Sequence, residues 1–157
     1  FETAVRAYQE ADNQLGLAEA YNNIGVIQRL QGDREAAGAA LTQAAETFAA
    51  LGDQNRQGQA LGNLGDLYAA RGGDRTQAAR CYSDAAQLFA DTGDRAKQSQ
   101  VLRALSLLRL RQGSFFPAMT HMEESLTVRP KLGVFDRLFR GLLRFALRLF
   151  GSGGASS

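Results

Sequence analysis

Apolar residues recur every three or four positions along most of the chain, which is the spacing of one face of an α-helix. From residue 17 to residue 30 they fall at Tyr21, Ile24, Ile27 and Leu30. After a Gly-Asp pair the pattern resumes at Ala37, Leu41, Ala44 and Phe48. Asp33 is a suitable N-cap for the second segment, because its carboxylate can accept bonds from the first free backbone N–H groups. The pattern therefore predicts two amphipathic helices joined by a short turn.

The same arrangement is repeated along the chain. The segment AYNNIG at residues 20–25 returns as ALGNLG at residues 60–65, which is 40 residues later. FAALGD at residues 48–53 returns as FADTGD at residues 89–94, and a degenerate third copy begins with VLRALS at residues 101–106. Self-similarity at such a period is typical of a helical-repeat protein.

This pattern resembles the tetratricopeptide repeat (TPR) family. The matching residues of the first unit are Tyr21, Ile24, Gly25, Ala37, Leu41 and Ala44. Those of the second are Leu61, Leu64, Gly65, Tyr68, Ala78, Tyr82 and Ala85. Those of the third are Leu102, Leu105, Ala118, Met122, Ser125 and Pro130. The usual TPR unit has about 34 residues, so the spacing is similar to the longer variant of kinesin light chains and bacterial regulatory proteins.

The resemblance implies an all-α fold, namely a TPR-like α-solenoid of antiparallel helix pairs with a C-terminal amphipathic helix. Residues 1–130 are expected to form the array, as the second helix of a partial unit followed by three helix pairs. Residues 131–150 form the amphipathic helix, and residues 151–157 are a flexible tail. The chain opens inside a helical pattern without an initiator Met, so an upstream part is expected to be missing.

Small residues explain how the paired helices approach each other. Gly25 and Gly65 leave room for the neighbouring helix, and the third unit carries Ser106 at the same place. We therefore expect looser packing in the third unit.

Composition argues against an enzyme or a metalloprotein. The chain has one Cys and one His, Cys81 and His121, so it cannot supply a Cys- or His-based metal cluster. No phosphate-binding glycine loop or nucleophile elbow is present. The adjacent Glu123 and Glu124 diverge by about 100° on a helix and cannot share one substrate atom. We expect no catalytic residues, no metal and no cofactor.

The concave face of a solenoid is the expected site for a protein or peptide partner. The candidate groove residues are Asn22, Asn23, Arg29, Asn63, Asp66 and Arg103. The TPR resemblance implies that Asn23 and Asn63 bond a ligand backbone, since a carboxamide donates and accepts at once. A solvated polar face, or an Asn bonded within the array, would give the same pattern.

Residues 132–150 are the most informative segment. At helical periodicity the basic residues fall in one narrow stripe, Arg137, Arg140, Arg144 and Arg148. One apolar sector contains Val134, Phe135, Leu138, Leu142, Phe145 and Leu149. A second contains Leu132, Phe139, Leu143, Ala146, Leu147 and Phe150. Together the sectors span about 220°, well beyond the face of an ordinary surface helix.

From the repeat register, the first sector is expected to cap the array and the second to remain open. The predicted docking residues are therefore Phe139, Leu143, Leu147 and Phe150, with Arg137, Arg140, Arg144 and Arg148 beside them. Three partners fit such a helix: an anionic membrane surface, another protein such as a membrane-complex subunit or a second copy, and a membrane span. Four Arg disfavour the span, and the aliphatic neighbours of the stripe disfavour nucleic acid.

The charge distribution separates the two parts of the chain. Residues 1–130 carry 13 Lys/Arg and 15 Asp/Glu, whereas residues 131–157 carry five Lys/Arg and one Asp. The sequence thus predicts a non-enzymatic scaffold or adaptor, cytoplasmic and peripheral on the membrane, that docks on a membrane surface or membrane-bound complex through its last helix. The alternative is a soluble peptide-binding TPR module whose last helix mediates homo-oligomerisation.

Overall fold

The computed structural model describes residues 13–70 and 72–151, together with Thr3 and Val5. Every regular element in this part of the chain is a helix, which confirms the all-α class. The partial unit expected before residue 13 lies outside the described residues apart from Thr3 and Val5, and so does the tail from residue 152 onwards.

Seven consecutive helices make up the described ranges from residue 13 onwards. They are α1 Gln14–Gln31, α2 Arg34–Ala50, α3 Gln54–Ala69, α4 Arg75–Asp91, α5 Arg95–Arg111, α6 Phe115–Val128 and α7 Val134–Gly151. Each helix packs on the next one along the chain, and the tightest associations lie within the pairs α1–α2, α3–α4 and α5–α6. These are the three helix pairs that the sequence predicts.

Short polar segments between the helices fix where each one begins. The carboxylate of Asp33 accepts a bond from the backbone N–H of Ala36 at 3.1 Å, as predicted for an N-cap. Asp53 and Asp94 cap α3 and α5 in the same way. Gly32 ends α1 with φ +87°, a left-handed conformation that a residue with a Cβ adopts only with strain.

Glycines at the pair contacts allow the helices to approach closely. A Cβ added to Gly25 would lie 2.5 Å from Leu41, and one added to Gly65 would lie 2.6 Å from the Tyr82 ring. Leu41 and Tyr82 are buried at these contacts. The small residues thus create the space that the larger side chains of the partner helix fill.

The third pair replaces glycine by serine and satisfies the added hydroxyl groups. The hydroxyl of Ser106 is buried and donates to the carbonyl of Ala118 at 2.7 Å. The hydroxyl of Ser125 donates to the carbonyl of Ser99 across the same pair at 2.8 Å. These bonds join α5 to α6 where glycine contacts join the earlier pairs.

Helix α7 packs on α6 with the apolar sector opposite to the one expected. Leu143 is buried, and Leu132 and Leu147 are half-buried; we call these three residues the inner face. The residues expected to cap the array are exposed instead. The predicted assignment of the two sectors is therefore wrong. Leu143 and Leu147 pack against the array and are not part of an exposed docking surface.

Candidate functional site

The exposed sector of α7 forms a large apolar surface, which we call the outer face. Its side chains retain 57% to 88% of their accessible surface. They are Val134, Phe135, Leu138, Leu142, Phe145 and Leu149. Isolated exposed leucines are common on proteins, whereas a continuous apolar row is a candidate interaction surface.

Polar bonds hold α7 in the orientation that exposes this face. The guanidinium of Arg144 pairs with Glu123 of α6 at 2.5 Å, and it also donates to the hydroxyl of Thr127. In the connecting segment, Arg129 pairs with the carboxylate of Asp136 at 2.8 Å. Arg144, predicted as a docking residue, thus has a partner within the chain.

The remaining predicted docking residues are divided between exposed and half-buried positions. Arg137 is exposed and donates to the carbonyl of Leu132, and Arg140 is half-buried. Phe139 keeps 49% of its surface and lies beside the outer face. Arg148 is also exposed. The side chain of Phe150 lies outside the described residues.

The outer face has large side chains at positions where α3 and α5, the first helices of their pairs, have small ones. We count from the residue whose carbonyl accepts the first helical bond, which is Asp53 in α3, Asp94 in α5 and Gly133 in α7. The fifth and twelfth residues are then Gly58 and Gly65 in α3, Ser99 and Ser106 in α5, and Leu138 and Phe145 in α7. A following helix therefore cannot pack on α7 as closely as α4 packs on α3.

Positive charge and exposed apolar surface occur in the same part of the molecule. Of the fourteen large apolar side chains that are exposed among the described residues, eleven follow residue 100. Residues 95–151 carry eleven Lys/Arg and three Asp/Glu, whereas residues 13–94 carry six and ten. The C-terminal part therefore combines exposed apolar side chains with an excess of positive charge.

Two of the predicted groove residues, one on α1 and one on α3, form a hydrogen bond with each other. The amide of Asn63 in α3 donates to the side-chain oxygen of Asn22 in α1 at 3.0 Å. Asn23 is exposed and lines a cavity of about 210 Å³ together with Asn22 and Gln59. The structure thus leaves Asn23 accessible, while Asn22 and Asn63 bond each other between units.

Asp66, Arg29 and Arg103 occupy three different settings. The carboxylate of Asp66 accepts the Tyr82 hydroxyl at 2.7 Å, and burial together with this carboxylate raises the pKa of the Tyr82 phenol. Arg29 is half-buried in the last turn of α1. Arg103 is exposed and lines a groove of about 670 Å³ that Phe139 of α7 also borders.

A polar network between α3 and α5 was not predicted from the sequence. Asn55 donates to Asp94 at 3.1 Å and accepts from Lys97 at 2.6 Å, while Gln59 donates to Asn55 at 3.0 Å. Bonds from Asn55 and from the Lys97 backbone hold the pKa of Asp94 below its ordinary value. The sequence shows the N-cap Asp94 and Lys97 three residues later. Their common partner Asn55 belongs to the preceding unit and is identified only by the fold.

Cys81 is half-buried in α4. Burial raises the pKa of this thiol, so the nucleophilic thiolate is disfavoured. The described residues contain no group of three or more Cys, His, Asp and Glu placed to hold a metal ion. Within the same ranges, each helix is too short or too polar to cross a membrane.

A comparison with protein families matches residues 1–127 to a family model described as "SNAP: Soluble NSF attachment protein, SNAP". No curated protein matches the chain. The matched family belongs to the TPR-like helical repeats, so the helical-repeat interpretation is confirmed at that level.

Proposed function

The chain belongs to the soluble NSF attachment protein family, and we propose that it is a non-enzymatic adaptor that docks on an anionic membrane through the outer face of α7. The single observation that carries this proposal is the exposed apolar row of α7 with arginines along one edge. This row takes the place of Leu143 and Leu147, two predicted docking residues that lie on the inner face.

The family name describes the attachment of another protein, which supports an adaptor role with a protein partner. We place that partner on the concave face, where Asn23, Gln59 and Arg103 line the cavities. Residues 13–128 follow the TPR pattern in its longer variant, which we retain as a proposal. The array would then hold the protein partner while α7 holds the membrane.

The energetics favour a lipid environment for the outer face. Full removal of a Leu or Phe side chain from water contributes about 1.5–3 kcal/mol. A basic residue near an anionic membrane surface adds about 1 kcal/mol. An interfacial helix is held by both apolar burial and electrostatic attraction to anionic lipid. The combination of Phe, Leu and Arg on α7 provides both contributions.

Co-sedimentation with phosphatidylcholine vesicles, with and without phosphatidylserine, tests the proposal. The wild-type chain is expected to pellet with the anionic vesicles, and raised salt should release part of it. Replacing Phe135, Leu142 and Phe145 by Ser should abolish binding. As a matched control, Leu30→Ser with Leu51→Ser removes exposed leucines from the array and should leave binding unchanged.

Arginine variants separate the electrostatic part. Changing Arg137, Arg140 and Arg148 to Gln, while keeping Arg144 because it pairs with Glu123, should weaken binding to anionic vesicles. Undiminished binding of this variant would contradict the electrostatic contribution. If the variant loses binding but raised salt does not release the wild-type chain from the vesicles, the electrostatic contribution is contradicted as well.

A second function is favoured by the spacing of the outer face. Phe135, Leu138, Leu142, Phe145 and Leu149 follow one another at intervals of three and four residues, which is the seam of a paired helix. The seam could therefore join two copies of the chain. Absence of vesicle binding, together with a concentration-dependent oligomer that the Phe135, Leu142 and Phe145 replacements dissociate, would favour this function over membrane docking.

A further inference from the structure

A second exposed aromatic pair lies at the turn between α5 and α6. Phe115 and Phe116 are the first two residues of α6 and retain 65% and 47% of their surface. The corresponding residues of the earlier pairs are Arg34-Glu35 in α2 and Arg75-Thr76 in α4. The third pair thus has two phenylalanines where the other two have hydrophilic residues.

The fold does not need aromatic side chains at this position. The buried residues of α6 are Ala118, Ser125 and Leu126, all further along the helix. Ser114, which precedes the pair, makes no side-chain capping bond. Since α2 and α4 begin with exposed hydrophilic residues and pack well, packing does not explain the two phenylalanines.

The aromatic pair lies at the same end of the molecule as the C-terminus of α7. Helices α6 and α7 are antiparallel neighbours, and Arg144 of α7 reaches Glu123 and Thr127 of α6. The start of α6 is therefore beside the last turns of α7, where Leu149 of the outer face is 57% exposed. Leu110, in the last turn of α5, is also exposed at this end, at 48%.

The surroundings of the turn are cationic. No Asp or Glu occurs between residue 104, in the middle of α5, and residue 122, in the middle of α6, whereas two arginines lie directly before the turn. Arg109 and Arg111 lie in the last turn of α5, directly before the aromatic pair. Exposed aromatic rings flanked by arginine match the boundary between the headgroups and the acyl chains of an anionic bilayer.

From this arrangement we infer that Phe115 and Phe116 form a second membrane attachment point, which enters an anionic bilayer together with the outer face of α7. The inference rests on the proposed membrane docking and adds a second element to it. Two separate points of contact would fix the rotation of the array on the membrane, whereas one helix alone would leave the array free to tilt about its axis.

A single introduced tryptophan tests whether the turn meets lipid, because the chain contains no Trp. Phe115→Trp keeps an aromatic ring, and its fluorescence should shift to the blue when phosphatidylcholine–phosphatidylserine vesicles are added. Arg75→Trp places the same probe at the equivalent position of the preceding pair and should not respond. A blue shift for Arg75→Trp equal to that of Phe115→Trp would overturn the inference.

The double replacement Phe115→Ser with Phe116→Ser measures the contribution to binding. Affinity for the same vesicles should fall about tenfold, as expected for two partly inserted side chains, while the far-ultraviolet circular dichroism and the melting temperature stay unchanged. If this variant binds like wild type and Phe115→Trp shows no shift, the second attachment point is refuted while docking through α7 stands. If the wild-type chain binds no vesicles, both proposals fail.

Discussion

Leu142 and Leu143 are neighbours in the sequence and lie about 100° apart around α7, one on the outer face and one on the inner face. Leu143 keeps 8% of its accessible surface and Leu142 keeps 67%. The one-residue difference decides which side of the helix rests on the array and which side faces outwards. The row that includes Leu142 is therefore the accessible apolar face of α7.

Truncating these two residues should have unequal effects on stability. Leu143→Ala removes buried contacts and should destabilise the packing of α7 by about 2–3 kcal/mol. Leu142→Ala removes an exposed side chain and should change it by less than about 0.5 kcal/mol. Hydrogen exchange of the α7 amides measures both variants. Equal acceleration of exchange in the two would contradict the orientation of α7.

The glycine contacts predict a contrast within α3. A methyl group at Gly65 would collide with the buried Tyr82 ring, so Gly65→Ala should destabilise the fold by about 1–3 kcal/mol. At Gly62 the nearest atom, on Val101, would lie 3.6 Å away. Gly62→Ala should therefore be neutral or stabilise the helix by up to about 1 kcal/mol. Chemical denaturation of the two variants checks this, and a Gly65→Ala variant as stable as Gly62→Ala would refute the close helix approach.

The carboxamides of α1 and α3 should separate into structural and accessible groups. Asn63→Ala breaks the bond to Asn22 and should reduce the free energy of unfolding by about 1 kcal/mol. Asn23→Ala alters an exposed residue and should leave it within about 0.5 kcal/mol of wild type. Thermal denaturation compares them. A larger loss for Asn23→Ala than for Asn63→Ala would reverse the assignment.

The carboxylate network of Asp94 should appear in the pH dependence of stability. Its bonds to Asn55 and Lys97 depress the pKa of Asp94 in the folded state below the ordinary value of 3.8. Ionised Asp94 therefore stabilises the fold above that value, and the contribution is lost as the pH falls through the lower, folded-state pKa. Asp94→Asn retains a capping residue and should lose less stability than wild type between about pH 5 and pH 2. Parallel pH profiles for the two proteins would show that Asp94 contributes nothing specific.

Periodicity was sufficient to predict the helix pairs, because every pair buries residues on a clear helical face and the first two pairs end in the Gly-Asp turns at residues 52–53 and 93–94. The Asp33 cap and the close contacts at Gly25 and Gly65 follow from local chemistry that the sequence displays directly. These features depend on residues near one another in the chain or on a repeated pattern.

The orientation of α7 could not be predicted in the same way, because both sides of this helix are apolar. Either sector could supply hydrophobic contact to α6, so the choice depends on specific partners such as the Arg144–Glu123 pair and the Arg129–Asp136 pair. Extending the repeat register to α7 gave the wrong sector. Leu138 and Phe145 are too large for the pair contact that the register assigns to them.

The most direct test of membrane docking through the outer face is the fluorescence of Phe145→Trp with anionic vesicles. Phe145 is 63% exposed at the middle of the outer face, and Leu30→Trp, at a 74% exposed site of the array, is the control. Membrane docking through the outer face predicts a blue shift and quenching by brominated lipid for Phe145→Trp, and neither for Leu30→Trp. A Phe145→Trp protein that pellets with the vesicles while its tryptophan remains as water-exposed as that of Leu30→Trp would contradict it.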